Sequence, residues 1–287
     1  MLSSLAAVLF DGFAYGMLLF LLSVGLSVTL GMMNFVNLAH CAFAAVGGYC
    51  TVTLVNQLGW PFLATLPAAF LVAALASVIL ERTLYRRLYR STDLDQCLFT
   101  IGIVFISVAA FAWFYTTEQQ SARVPDYLRG TVPLAGINFA VYRLFLIVVG
   151  LATTALLVLL LERTRFGAQV RAAVDNQRMA RGLGIDVDRA FMFTFALGGG
   201  LAGLGGALAI EVIGLDPTFA LTYLVYVLIV VAVGGLGSIG GSFAAAAVLG
   251  ISDMAGKYYF PWLGAFLIYL VMVALLMWRP AGLFGKR

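Results

Sequence analysis

The stretch GMMNFVNLAHCAFAAVGGY, Gly31–Tyr49, carries the chain's one histidine, with Asn34 and Asn37 leading up to it at three-residue steps. An imidazole in such a place has three chemical uses. As a general base, His40 needs a nucleophile and a positioned carboxylate, and neither set is present, so no triad forms. As a metal ligand it needs a second histidine, or a cysteine or carboxylate one helical turn on; position 44 is alanine. What remains is hydrogen bonding, in which His40, Asn34 and Asn37 fix a break between helices. A contact to a passing solute is the second reading. Cys41, Cys50 and Cys97 have no short metal spacing and read as small core hydrophobes. The other eye-catching run, GGLGSIGG (Gly234–Gly241), is glycine-rich but lacks the lysine of a phosphate-binding loop, so neither ATP binding nor any cofactor is expected.

The elements that must position these residues follow from composition. Of 287 residues, 63% are hydrophobic and 10% charged, well under the ~25% charged of soluble domains. Mean hydropathy is +1.03. Apolar runs of about 20 residues, enough for one helical crossing, recur throughout. They do not alternate as barrel strands do. The expected fold class is therefore all-α, a polytopic integral membrane helix bundle with glycine-rich breaks. Spans are placed at 5–30, 37–56, 61–81, 96–115, 142–162, 191–212, 221–238, 240–256 and 262–278, giving 8–9 transmembrane helices in one membrane domain over 1–287. The run 221–256 reads either as two crossings or as one broken element. The first run is too long for a signal-peptide core and lacks a basic lead, so it is taken as the first span.

Charge gives the orientation. Three polar stretches, Glu81–Asp93, Glu162–Arg189 and the tail from Arg279, hold 13 of the 17 lysines and arginines; the others are Arg123, Arg129, Arg143 and Lys257. Basic loops stay in the cytoplasm. The N-terminus is then outside and the C-terminus inside, and the net charge of +4 reflects topology, with no nucleic-acid partner implied.

The longest basic stretch contains GAQVRAAVDNQRMARGLGI, Gly167–Ile185. Val170, Ala173, Val174 and Gln177 recur at helical spacing on a narrow apolar face, and Gly182 and Gly184 end the helix. Such a helix lies on a lipid surface or docks on a partner. In ALGGGLAGLGGAL (Ala196–Leu208), Gly199 and Gly203 stand at the small-xxx-small spacing that lets helices approach in lipid, with Gly206 near the same face. Around Gly235, Gly237, Ser238 and Gly240 the backbone is too glycine-dense for a straight helix. At membrane depth such backbone survives where it is buried or lines a cavity, and in transporters it borders the path.

Four motifs together resemble a known family. TRFGAQVRAAVDNQRMARGLGID (Thr164–Asp186) is similar to the cytoplasmic coupling loop of ABC importer permeases, and of the branched-chain amino acid permeases in particular, the LivH/LivM family. The matching residues are Gly167, Arg171, Ala172, Asp175, Asn176, Ala180, Gly184 and Ile185. NFVNLAHCAFAAVGGY resembles the family's Asn-Leu-Ala-His-Gly stretch, with Cys41 where glycine is usual and Gly48 where alanine is usual. VVAVGGLGSIGG (Val230–Gly241) and RPAGLFG (Arg279–Gly285) match as well, so the resemblance spans nearly the whole chain, and its length is LivH-like.

The resemblance implies a bacterial inner-membrane permease subunit that moves branched-chain or other hydrophobic amino acids, or related small polar solutes. It implies a second, LivM-like permease, two cytoplasmic ATPase subunits and a periplasmic substrate-binding protein as partners. The stretch about 163–190, with Gly167, Val170 and Arg171, would couple to the ATPase. Two rivals are weighed against this reading. An ion-coupled secondary transporter would need ionisable groups at depth, and no acidic residue falls clearly at a midplane, Asp253 being placed near the external end of its span. A membrane scaffold or enzyme without a transport role is the other.

Overall fold

The computed structural model describes residues 2–33, 35–89, 91–134 and 137–285, so Asn34 lies outside the described residues. Helix α1 (Leu2–Met33) leads to α2 (His40–Asn56) and α3 (Phe62–Leu80). A single π turn, Glu81–Tyr85, carries α3 on into α4 (Arg86–Leu88). Helix α5 (Asp93–Tyr115) precedes a long loop that holds α6 (Asp126–Arg129) and an antiparallel hairpin, β1 (Thr131–Leu134) with β2 (Ile137–Ala140). Next come α7 (Val141–Arg163), α8 (Arg165–Asp175), α9 (Gln177–Gly182) and α10 (Val187–Ile213). The chain closes with α11 (Phe219–Gly234), α12 (Ile239–Tyr259) and α13 (Gly264–Trp278). The fold is an all-α membrane bundle. A small hairpin, the one such pair among the described residues, sits in a polar loop between α5 and α7, where no apolar run competes for it.

Among the described residues six helices, α1, α3 with α4, α5, α7, α10 and α12, are long and apolar enough to cross a membrane, and α11 and α13 are shorter apolar helices. Positions agree with the sequence expectation to within a few residues, with three informative differences. Helix α2 begins at His40 instead of 37, because residues 35–38 are non-helical. The third span does not stop at Glu81 but runs to Leu88 through the π turn. The 221–256 run is two helices, separated at Gly235–Ser238.

The bundle is built round α10, and glycine explains how. On one side Gly198 and Gly205 bring it against Gly25 and Leu22 of α1. On another, Gly199 and Gly203 admit Ser77 and Ala73 of α3. On a third, Gly206 faces the Ala44 carbonyl of α2 so closely that any Cβ there would overlap backbone. Lipid gives helices no hydrophobic reason to associate, so close backbone packing of this kind supplies the attraction. Ser77 Oγ also donates to the Phe195 carbonyl of α10 at 2.7 Å. Helix α2 is enclosed over most of its length, whereas α5 and α13 expose large side chains such as Ile106, Trp113, Phe266 and Leu270 to the surroundings.

Cross-contacts sort the helix ends onto two sides. At one side, Asn56 Nδ2 donates to the Ser121 carbonyl at 2.8 Å, Gln120 and Leu215 pair their backbones, and Arg143 pairs with Asp11. At the other, Arg86 pairs with Asp188, Val36 N–H reaches Gln96 and Gly31 abuts Gly237. The second side carries the basic stretches. The described residues of the basic stretches therefore share one end of the bundle.

Candidate functional site

On the basic side two features come together: a helical segment between α7 and α10, and the breaks after α1 and α11. The segment starts at Thr164, whose hydroxyl accepts from the Gly167 N–H at 3.2 Å and so caps α8. Gly167 lies against the Leu161 carbonyl with no space for a side chain. The Arg171 guanidinium donates to that same carbonyl. Both residues therefore fix the angle at which α8 leaves α7. Val170, Ala173, Ala180, Val187, Ala190 and Phe191 form a small second core, with Met33, Tyr89, Phe166 and Ile185 packed on it.

The sequence reading expected one helix over Gly167–Ile185. The structure has two, because Asn176 leaves helical geometry, with φ −154° and ψ 97°, and caps α9 by accepting from the Met179 N–H at 3.0 Å. That break rotates the following residues. Before it, Val170 and Ala173 are inward as expected but Val174 is outward; after it, Met179 and Leu183, neither of them singled out beforehand, are exposed at 65% and 79%. Helix α9 ends as foreseen at Gly182, with Gly184 in the left-handed region at φ 82°. The Ile185 N–H reaches the Ala180 carbonyl at 3.0 Å and the Gly184 N–H the Arg181 carbonyl at 3.1 Å, a Schellman stop. Of the remaining candidates, Arg171, Asp175, Asn176 and Gly184 are exposed and Ala172 is half-buried. Asp188, at the start of α10, pairs with Arg86 beyond the π turn and with Arg181 of α9 at 3.1 Å. One carboxylate thus ties the segment to α4.

The first break is a polar knot. Asn37 Oδ1 accepts from the Ala39 N–H at 3.1 Å, and the His40 N–H bonds back to the Asn37 carbonyl at 3.3 Å. His40 is buried, and its Nε2 is 3.1 Å from the Leu22 carbonyl in α1. A carbonyl only accepts, so Nε2 carries the proton. Two further residues escaped the sequence reading. Gln96 Oε1 accepts from the Val36 N–H at 3.0 Å and Thr100 Oγ1 from the Leu38 N–H at 3.1 Å. They sit one turn apart on α5 and satisfy the backbone that the break exposes. Their i, i+4 spacing was the available signal.

The second break touches the first where Gly31 meets Gly237. Gly235 and Gly237 are at φ 92° and 77°, a region that glycine adopts readily. Ser238 Oγ accepts from the Gly241 N–H at 3.0 Å and caps α12, whereas Gly240 faces open space. The tail motif completes the knot: Leu283 and Phe284 N–H groups bond the Val233 and Gly234 carbonyls at 2.7 and 3.2 Å. The tail thus takes up carbonyls that the end of α11 leaves unpaired.

A multi-pass apolar bundle, closely packed through glycine, with most of its basic residues gathered at one end beside a helical segment, is the build of an integral membrane protein. The chain belongs to the family described as the permease component of branched-chain amino acid transport systems, whose profile matches residues 8–276. It is therefore a permease, not an enzyme, a multi-pass inner-membrane protein and one component of a larger transport system. It is 28% identical to the probable branched-chain amino acid transport permease protein LivH of Methanocaldococcus jannaschii, over 94% of this chain and 90% of that protein. To the high-affinity permease BraD of Pseudomonas aeruginosa it is 24% identical, over 97% and 95%. To LivM of Salmonella typhimurium it is 26% identical, over 93% of this chain but 68% of the longer relative. No solved structure matches it.

Proposed function

We propose that this chain is the LivH-type permease of an ATP-binding cassette importer, carrying branched-chain or other hydrophobic amino acids inward. It forms one membrane domain beside a LivM-like permease, with two cytoplasmic ATPase subunits and an external binding protein. The N-terminus is outside and the C-terminus inside, since basic loops are retained in the cytoplasm. The observation that carries the reading is the α8–α9 segment. It hangs on the basic side from its own small core, and it presents Val174, Met179 and Leu183 beside Arg178. Exposed apolar side chains rimmed by charge are what a partner subunit's groove receives.

Movement of that segment reaches the membrane by two short routes in this proposal. One is the Gly167 and Arg171 contact with the end of α7. The other is Asp188, shared between α9 and α4. The breaks at Asn37–His40 and Gly235–Ser238 then act as the joint between the moving ends of α1, α2, α11 and α12. The strong solute recognition belongs to the binding protein, and the path runs between this chain and its partner permease. The test is uptake of labelled leucine into proteoliposomes that hold the assembled complex. Uptake that needs ATP and the binding protein is expected; uptake driven by an ion gradient without ATPase subunits would overturn the reading.

A further inference from the structure

At the end of the bundle away from the basic loops lies a cluster that the permease reading does not use. Asp253 stands about 21 Å along α12 from its start. Its side chain is 1% exposed. Oδ2 accepts from Lys257 Nζ at 2.6 Å, while Oδ1 is buried with no hydrogen-bond partner among the described residues. The lysine ammonium also lies 5.4 Å from the centre of the Tyr15 ring. Beside it runs a ladder of rings, Tyr223 to Tyr226 at 5.7 Å and Tyr226 to Tyr269 at 6.3 Å, contributed by α11 and α13. The Asp253 carboxylate is near enough to act electrostatically on Tyr15, Tyr223 and Tyr226.

An ordinary ion pair one turn apart on a helix contributes little and needs no burial. Here the carboxylate has been taken out of water, which is costly, and half its acceptor capacity is unused, which adds to the cost. Buried acids in membrane helices persist mainly where they do a job. The job is legible in what the site already holds: an ammonium between a carboxylate and an aromatic face, the arrangement that favours organic cations. Lys257 is more than half exposed, so it can swing away.

We propose that Asp253, Tyr15, Tyr223, Tyr226 and Tyr269 form a binding site for a primary ammonium group, with Lys257 as its resident internal occupant. The inference stands on this geometry and does not depend on which solute the permease carries. Two sources offer the same chemistry, a dissolved amine and the headgroup of phosphatidylethanolamine. The assembled transporter in nanodiscs of phosphatidylglycerol, a lipid without an amine, is titrated with isobutylammonium and followed by saturation-transfer NMR; isobutanol is the uncharged control. Saturation of the cation alone is expected, about tenfold weaker in Asp253→Asn, as loss of one desolvated charge contact implies. Adding phosphatidylethanolamine separates the sources: displacement of the probe points to the lipid headgroup, persistence to a dissolved amine. Tyr226→Leu, at a half-buried ring, is expected to weaken binding about threefold and serves if the aspartate variant fails to assemble. Equal saturation by cation and alcohol, none by either, or binding indifferent to Asp253→Asn, or to Tyr226→Leu should the aspartate variant not assemble, overturns the proposal.

Discussion

Helix α10 and the α8–α9 segment that precedes it are neighbours in sequence and opposites in construction. The helix is gripped on three sides, through Gly198 and Gly206 against backbone carbonyls of α1 and α2, and through Gly199 and Gly203 against Ser77 and the short Ala73 side chain of α3. The segment is held by a six-residue core, one guanidinium on a carbonyl and one shared carboxylate. A carbonyl or a Cβ has no rotamer by which to turn aside, so an added side chain has least room at Gly206, against the Ala44 carbonyl. The segment leaves Val174, Met179 and Leu183 exposed among the described residues. The contrast teaches where rigidity and movement are divided: the membrane centre is set by volume, and the basic end by a few polar ties.

The largest effect should come from adding volume at the centre. Gly206→Val places methyl groups into the Ala44 carbonyl of α2, an enclosed helix. Overpacking costs typically 1–3 kcal/mol and more where backbone must move, roughly a large share of a marginal stability. The expected outcome is loss of monodisperse protein after detergent extraction, measured by fluorescence-detected size exclusion. A variant that elutes and melts like the parent would show that the three-sided grip is looser than the geometry indicates.

Next come the ties of the segment. Arg171→Glu removes the bond to the Leu161 carbonyl and sets a negative charge beside it. Because Arg171 is exposed, membrane insertion should be unchanged while uptake falls, by about tenfold if the lost bond is worth ~1.4 kcal/mol of coupling. Failure to insert would make the residue part of the fold instead. Met179→Glu and Leu183→Glu probe the outer face alone. Surface changes away from special contacts stay within about ±0.5 kcal/mol. Their thermal stability should therefore match the parent, with several-fold weaker retention of the ATPase subunits during purification. Full retention would move the docking surface away from α9.

What was legible in the sequence follows the same division. The spans were readable because ~20 apolar residues in a row have few alternatives. The glycines of α10 were readable as a close-packing stripe, but not the number of partners, since a spacing does not say how many helices gather round it. The end of α9 at Gly182 was readable because glycine marks helix ends. The break at Asn176 was not, since asparagine both caps helices and sits within them, and missing it hid Met179 and Leu183; Val174, ahead of the break, stands at the exposed edge of the α8 face on which it was placed inward. Gln96 and Thr100 look like two stray polar residues in a span until the non-helical backbone of Val36–Leu38 is placed against them. Asp253 was put near the external end of its helix, where an acid is inexpensive; its burial depends on packing by α1, α11 and α13, which no local pattern encodes.

The smallest effect sharpens the comparison most, because it separates two glycines of one motif. Gly237 sits at φ 77° against Gly31, so Gly237→Ala strains the backbone and crowds the first break at once. Gly240 lies in the first turn of α12, where an added Cβ meets nothing within 4 Å. Alanine also favours helix over glycine by ~1 kcal/mol. Gly240→Ala should therefore leave uptake unchanged and raise the melting temperature slightly, by a few degrees at most, while Gly237→Ala lowers both. Uptake lost on Gly240→Ala, with the fold intact, would mean that this open face of the break meets solute or the partner permease, and would move Gly240 from the structural half of the motif to the working half.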